Sequence, residues 1–249
     1  MANRIFDNSE QGSLYVAKEI ASLIRKNNRL DKHTVLGFAT GNTPIVLYRE
    51  LVRMHKQEGL SFKKVVTFNL DEYFPMNPDD IHSYHFFMYD NLFSHIDIDH
   101  ANVHIPKGTL EFDEVEAYCA DYDKKIKEVG GLDIQVLGIG RSGHIGFNEP
   151  GTSVNEGTHL VNLNQITIQD AAGDFGGIES VPVKAITMGL KTILHARRIF
   201  LLAWGKRKAD IVGKALQGVV SSELPATFLQ NHEQCEFVLD KSASSYLRN

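Results

Sequence analysis

The sequence predicts an α/β fold: an open, mainly parallel sheet covered by helices on both faces. Three observations carry that expectation. Short apolar runs at residues 33–39, 65–70 and 132–137 read as strands buried on both sides. They alternate with amphipathic helical stretches, and strands separated by helices return in parallel. A glycine-rich loop then follows one such run directly, Gly138-Ile-Gly-Arg-Ser-Gly-His144-Ile-Gly-Phe-Asn-Glu149-Pro150, at the strand end where open α/β sheets bind ligands.

The elements follow in order. Residues 9–25 open on Ser9 as a cap and carry Val16, Ile20, Leu23 and Ile24 at helical spacing. The strand at 33–39 runs into Thr40-Gly-Asn-Thr-Pro44 and a helix over 45–56, with Thr43 the expected N-cap and Pro44 the first helical residue. The strand at 65–70 ends at Asp71-Glu72-Tyr73, read as a polar turn. An aromatic-rich helix covers 83–96, and its stripe of Tyr84, Phe86, Phe87, Tyr89 and Phe93 reads as core. A short strand at 103–106 and an amphipathic helix at 114–129, ended by Gly130-Gly131, lead to the central strand at 132–137. Beyond Pro150 the chain is polar and irregular to about residue 180, with Gly173, Gly176 and Gly177 inside it. Long loops in compact domains tend to be functional, so roughly 155–182 is expected to form a mobile lid. A strand at 185–187, a helix at 188–195, a strand at 198–204, a helix at 206–216, a short helix at 224–230 and a last strand at 235–240 complete the alternation. With no linker or repeat, residues 1–249 read as a single domain, a Rossmann-like three-layer sandwich.

Composition narrows the function. The net charge of −5 and scattered basic residues give no footprint for nucleic acid. No apolar run reaches the ~18 residues of a membrane span, and the amino end lacks a signal-peptide pattern, so no membrane partner and a cytoplasmic location are expected. Cys119 and Cys235 read as free, buried thiols of a reducing compartment.

The Gly138-Ile-Gly140-Arg-Ser-Gly143 run matches a dinucleotide-binding pattern letter for letter. That pattern should open a long helix, whereas Asn148-Glu-Pro150 ends any helix within ten residues, and no acidic residue follows ~20 residues on. No His/Cys spacing supports a metal site at Asp71, His144 and Glu149, and Ser142 does not sit in a nucleophile elbow. The remaining chemistry is cofactor-free and metal-free acid–base catalysis on an anionic small molecule. Asp71 would be a carboxylate base, His144 an acid–base group oriented by Glu149, and the strand–turn–helix at Thr40–Thr43 an amide cradle for a phosphate. Lys208, at a helix start where the dipole gives a cation nothing, reads as an anion ligand.

Thr40-Gly-Asn-Thr-Pro44, Val66-Thr-Phe-Asn-Leu-Asp-Glu-Tyr73, Gly143-His-Ile-Gly-Phe-Asn-Glu-Pro150 and Gly205-Lys-Arg-Lys208 together resemble the glucosamine-6-phosphate deaminase (isomerase) family over nearly the whole chain. Galactosamine-6-phosphate deaminases/isomerases share most of these stretches, and 6-phosphogluconolactonases share the fold more distantly. The resemblance implies conversion of an aminosugar phosphate and water to a ketose phosphate and ammonia. A lactonase-like hydrolase and a non-catalytic sugar-phosphate-sensing module are the alternatives.

By motif, the resemblance implies that Asp71 is the enolisation base, His144 the ring-opening catalyst and Glu149 its charge-relay partner. Thr40, Gly41, Asn42, Thr43 and Lys208 would hold the sugar phosphate, with Glu72 and Gly140 placed beside them at the substrate. Ser142 belongs to the catalytic set because it stands where many members carry Asp, leaving one carboxylate fewer beside the imidazole. The lid carries Asp174 where allosteric bacterial members have a phosphate-contacting Arg. His159 and Val161 replace the Arg and Lys that bind an activating N-acetylaminosugar phosphate, so no response to such an activator is expected. Members range from monomer to hexamer, so a homo-oligomer is among the assemblies allowed.

Overall fold

The computed structural model, which describes residues 2–248, builds two sheets. The strands are β1 (Ala2–Phe6), β2 (Thr34–Phe38), β3 (Val65–Asn69), β4 (Asp71–Phe74), β5 (Val103–His104), β6 (Ile134–Leu137), β7 (His159–Asn162), β8 (Lys184–Thr187), β9 (Arg198–Ala203) and β10 (Cys235–Asp240). Seven pair in parallel in the order β1-β10-β9-β6-β2-β3-β5, and β4-β8-β7 form a smaller antiparallel sheet. The helices are α1 (Ser9–Arg29), α2 (Ile45–Glu58), α3 (Tyr84–Asn91), α4 (Val115–Glu128), α5 (Gln165–Ala171), α6 (Leu190–Leu194) and α7 (Ala209–Gln217).

Side chains alternate across the large sheet, and both faces are apolar. Val35, Leu137, Ile199, Leu201, Phe237 and Leu239 meet α4, α6 and α7 on one side. Their neighbours Leu36, Val136, Phe200, Leu202 and Val238 meet α1, α2 and α3 on the other. A period of two with both faces buried is what makes the strands read as continuous apolar runs. Burying each large aliphatic or aromatic side chain contributes about 1.5–3 kcal/mol, so this double-sided layer carries most of the fold's stability.

Local chemistry departs from expectation at both early helix starts. Asn8, not Ser9, caps α1, its side chain accepting from the Gln11 N–H at 2.9 Å. At α2, Thr43 does not cap: Pro44 occupies the N-cap position and no side chain closes the helix end. Strand β1 escapes pattern reading because it is a polar edge strand, held by parallel pairing to β10 and an Arg4–Glu236 ion pair of 2.6 Å. Residues 155–182 are not an irregular loop. They contain β7 and α5, and Leu163, Ile168 and Val181 pack with Tyr73, Met76 and Phe147. Phe175 stacks on His82 at 4.8 Å and meets Tyr73 edge-on at 5.1 Å.

The strand order reverses between β2 and β6: β2 leads on through α2 to β3 on one side, while β6 lies against β9 on the other. The loops leaving the two strands diverge and open a crevice at their carboxyl ends. Leu70 is the joint between the sheets. Its N–H donates to Phe38 O at 2.9 Å, and its own carbonyl accepts from the Met188 N–H at 2.6 Å. Just after Met188, a Cβ on Gly189 would lie 2.0 Å from the Gly157 carbonyl oxygen and 2.2 Å from that of Glu156. Gly189→Ala is therefore expected to destabilise the protein by about 2–3 kcal/mol through overpacking against backbone. The midpoint of urea unfolding checks this.

Candidate active site

The crevice holds a cavity of about 170 Å³ lined by Thr40–Thr43, Leu70, Asp71, Tyr84, Gly138–Gly140, His144, Gly146 and Phe147. Its floor comes from the loop after β2. Gly41 takes a left-handed φ of 84°, and the turn delivers the chain into α2. The first helical N–H groups have no intrahelical acceptor, and with no side chain capping α2 they remain available to an anion. Trp204 pins the turn from below, its indole N–H donating to the Thr43 carbonyl at 3.1 Å.

Asp71 is the first residue of β4, where the chain passes from the parallel sheet into the antiparallel one, opposite Thr187 of β8. Its side chain is buried, at 6% exposure, and accepts no hydrogen bond from the described residues. Burial, reinforced by the charge of Glu72, pushes its pKa up to about 8. Glu72 points the other way, since successive strand residues face opposite sides. Its carboxylate accepts from the N–H groups of Tyr73 (2.9 Å), Tyr84 (3.0 Å) and His85 (2.9 Å), closing the start of α3. Burial pushes Glu72 to about 7 against those three donors. Glu72, expected at the substrate, is thus a helix-end ligand and does not line the cavity.

The loop after β6 forms no helix and closes through an Ile145–Asn148 bridge. Asn148 ties it down, donating to the carbonyls of Ile145 (2.8 Å) and Met188 (2.9 Å). The His144 ring lies directly over Gly140, where a Cβ would come within 2.1 Å of Cε1 and Nε2, so a side chain there would displace the imidazole. Ser142 Oγ stands 2.8 Å from His144 Nδ1 and donates to Glu149 Oε2 at 3.3 Å. A hydroxyl that donates to Glu149 can accept from Nδ1–H, an arrangement that would leave Nε2 as the basic nitrogen. Glu149 Oε2 is also 3.4 Å from Nδ1. Burial works to raise the Glu149 pKa, but His144, the Thr167 hydroxyl and the Asn164 N–H outweigh it and hold it below the usual range.

The structure therefore gathers Thr40, Gly41, Asn42, Thr43, Asp71, Gly140 and His144 around one cavity, with Ser142 and Glu149 behind the imidazole. Lys208 sits just outside, its amine donating to the Ile139 carbonyl at 2.7 Å, and burial lowers its pKa. Tyr84, read as core, does pack against Tyr73 and Phe147, but it also lines the cavity, its ring stacked over Phe147 at 6.0 Å, and that second role was missed. Its position as first residue of α3, just after the Ser83 cap, was the available signal. Thr167 was also missed; its partner Glu149 is remote in sequence, and no local pattern marks it.

The profile described as glucosamine-6-phosphate isomerases/6-phosphogluconolactonase matches residues 7–238. A glucosamine-6-phosphate deaminase of Clostridium botulinum (strain Langeland) is 45% identical over 244 residues, covering 98% of each chain. A solved monomeric glucosamine-6-phosphate deaminase, described as a missing link of the NagB superfamily, is 45% identical and superposes with a TM-score of 0.94 over 100% of both chains. The 6-phosphogluconolactonase of Trypanosoma brucei, at 18% identity and a TM-score of 0.80 over 99% of this chain and 98% of its own, shares the fold. With the sheet, the crevice and the His144 loop in place, the chain belongs to the glucosamine-6-phosphate isomerase/6-phosphogluconolactonase family.

Proposed function

We propose that the chain is a deaminating isomerase that converts glucosamine 6-phosphate and water to fructose 6-phosphate and ammonia in aminosugar catabolism. The observation that carries this is a single cavity lined by both a carboxyl of raised proton affinity, Asp71, and a histidine tied through Ser142 to a carboxylate. The full-length similarity to glucosamine-6-phosphate deaminases supports it. A lactonase would have no use for a base poised to remove a carbon-bound proton.

The phosphate sits on the amides of Thr40–Thr43 and the start of α2, with Lys208 adding charge. His144 takes the proton of the anomeric hydroxyl on Nε2 and returns it to the ring oxygen, opening the sugar. Glu149, through the Ser142 hydroxyl, stabilises the imidazolium formed in between. Asp71 then removes the C2 proton and delivers it to C1, while a proton passes from the C2 amine to O1. The resulting C2 imine adds water and expels ammonia. A carboxyl near pKa 8 is a much stronger base, once ionised, than one near 4. Every group in this scheme comes from one chain, so turnover needs no second copy, as in the monomeric relative. The whole chain acts as one unit, with 155–182 covering the cavity as a lid. No described helix is long and apolar enough to cross a membrane, and a sugar-phosphate substrate fits a cytoplasmic setting.

A coupled ammonia assay with glucosamine 6-phosphate and galactosamine 6-phosphate side by side tests the reading. Release from the gluco substrate is expected, and release from neither overturns it. With β7 carrying His159 and Val161 in place of a basic pair, the rate curve is expected to be hyperbolic and unchanged by N-acetylglucosamine 6-phosphate. Asp71→Asn should lower kcat by about 10²–10⁴-fold, the usual worth of a general base. In the wild type, kcat/KM should rise with pH as Asp71 ionises around 8.

Stability should move the opposite way. A carboxyl whose folded pKa lies above its unfolded value stabilises the fold at low pH, and that contribution is lost as pH rises through about 8. Asp71→Asn is thus expected to match the wild type near pH 4 and to exceed its Tm by roughly 2–6 °C at pH 9. Calorimetric scans at the two pH values read the difference.

A further inference from the structure

The His144–Glu149 pair is fastened to a helix outside the cavity. Thr167, in the first turn of α5 and buried at 6% exposure, donates its hydroxyl proton to Glu149 Oε1. The N–H of Asn164, the residue that caps α5, donates to the same oxygen at 3.1 Å. Glu149 Oε2 faces inward, to Ser142 at 3.3 Å and His144 Nδ1 at 3.4 Å. Those inner contacts are long for hydrogen bonds, and a carboxylate's terminal torsion is soft, so they cannot orient it alone. The outer contacts are the tight ones. A second fastening joins the same two segments: Arg141, beside Ser142, forks onto Asp170 of α5, with Nε at 2.8 Å and the terminal nitrogen at 2.6 Å. A helix of seven residues is not stable on its own, so these contacts and its packed residues fix where it lies.

We propose that Thr167 is a positioning residue for the acid–base pair: its hydroxyl holds one Glu149 oxygen so that the other stays on Ser142 and His144, and α5 thereby sets the imidazole's orientation. This rests on the reading of His144 as the ring-opening catalyst. The titratable group in contact with Glu149 is His144, while Arg141 and Asp170 are paired with each other. α5 belongs to the segment proposed as the lid, so any movement of that segment would carry the outer Glu149 contacts with it.

Two variants test this. Thr167→Val keeps the side chain's shape and removes the donor; Thr167→Ser keeps the donor. Valine is expected to lower kcat for ammonia release about tenfold, a typical effect of losing an outer hydrogen-bond partner, with KM changed far less. It should also raise the Glu149 carboxyl pKa, read by carbon-13 NMR on the free protein, because a donor to the charged form is gone. Serine should restore both. Wild-type kcat in the valine variant, or a serine variant as slow as valine, overturns the proposal. A Glu149 shift in the valine variant with no ammonia released by the wild type would leave the positioning role standing and overturn the assigned reaction instead.

Discussion

The Asp71 carboxyl is largely buried, with no donor to accept from among the described residues, and the site is arranged to keep it so. It stands one residue past Leu70, where the backbone is pinned to both sheets and has no freedom to retreat toward solvent. Opposite it, Gly146 leaves the necessary space: a Cβ there would come within 2.9 Å of the Thr187 hydroxyl and 3.5 Å of the Asp71 carboxylate, at a φ of 57° that disfavours side chains anyway. Desolvation is what lifts the acid toward neutrality. The joint between the sheets is thus also the device that tunes the base.

Neighbouring carboxylates here have unlike fates for a geometric reason. Strand residues alternate sides, so Asp71 faces the cavity while Glu72 must face α3, where three backbone N–H groups receive it. Glu72 in turn fixes the first residue of α3, Tyr84, at the cavity wall. A residue removed from the chemistry still places one that touches the ligand space.

Strands β2, β3 and β6 of the large sheet were legible because burial on both faces leaves a mostly apolar run, whereas the exposed edge strand β1 was not. Of the antiparallel sheet, β8 was legible and its two partners were not. β4 reads Asp-Glu-Tyr-Phe and β7 His-Leu-Val-Asn, and their pairing is dictated by β8 rather than by periodicity of their own. The candidate site was legible as motifs: Asp71, His144 and the Thr40–Thr43 turn do converge on one cavity. What the motifs lacked was direction. The motif match put Glu72 with Asp71 at the substrate, and residue type made Thr43 the cap of α2; strand alternation and Pro44 decided otherwise.

The indole of Trp204 touches the carbonyl of Thr43, within the loop that would grip the phosphate, and the chain contains a single tryptophan. The protein therefore carries its own optical reporter. Any tightening of that loop would alter the polarity and hydrogen bonding around one chromophore, whose emission would then report ligand occupancy without a label and without turnover.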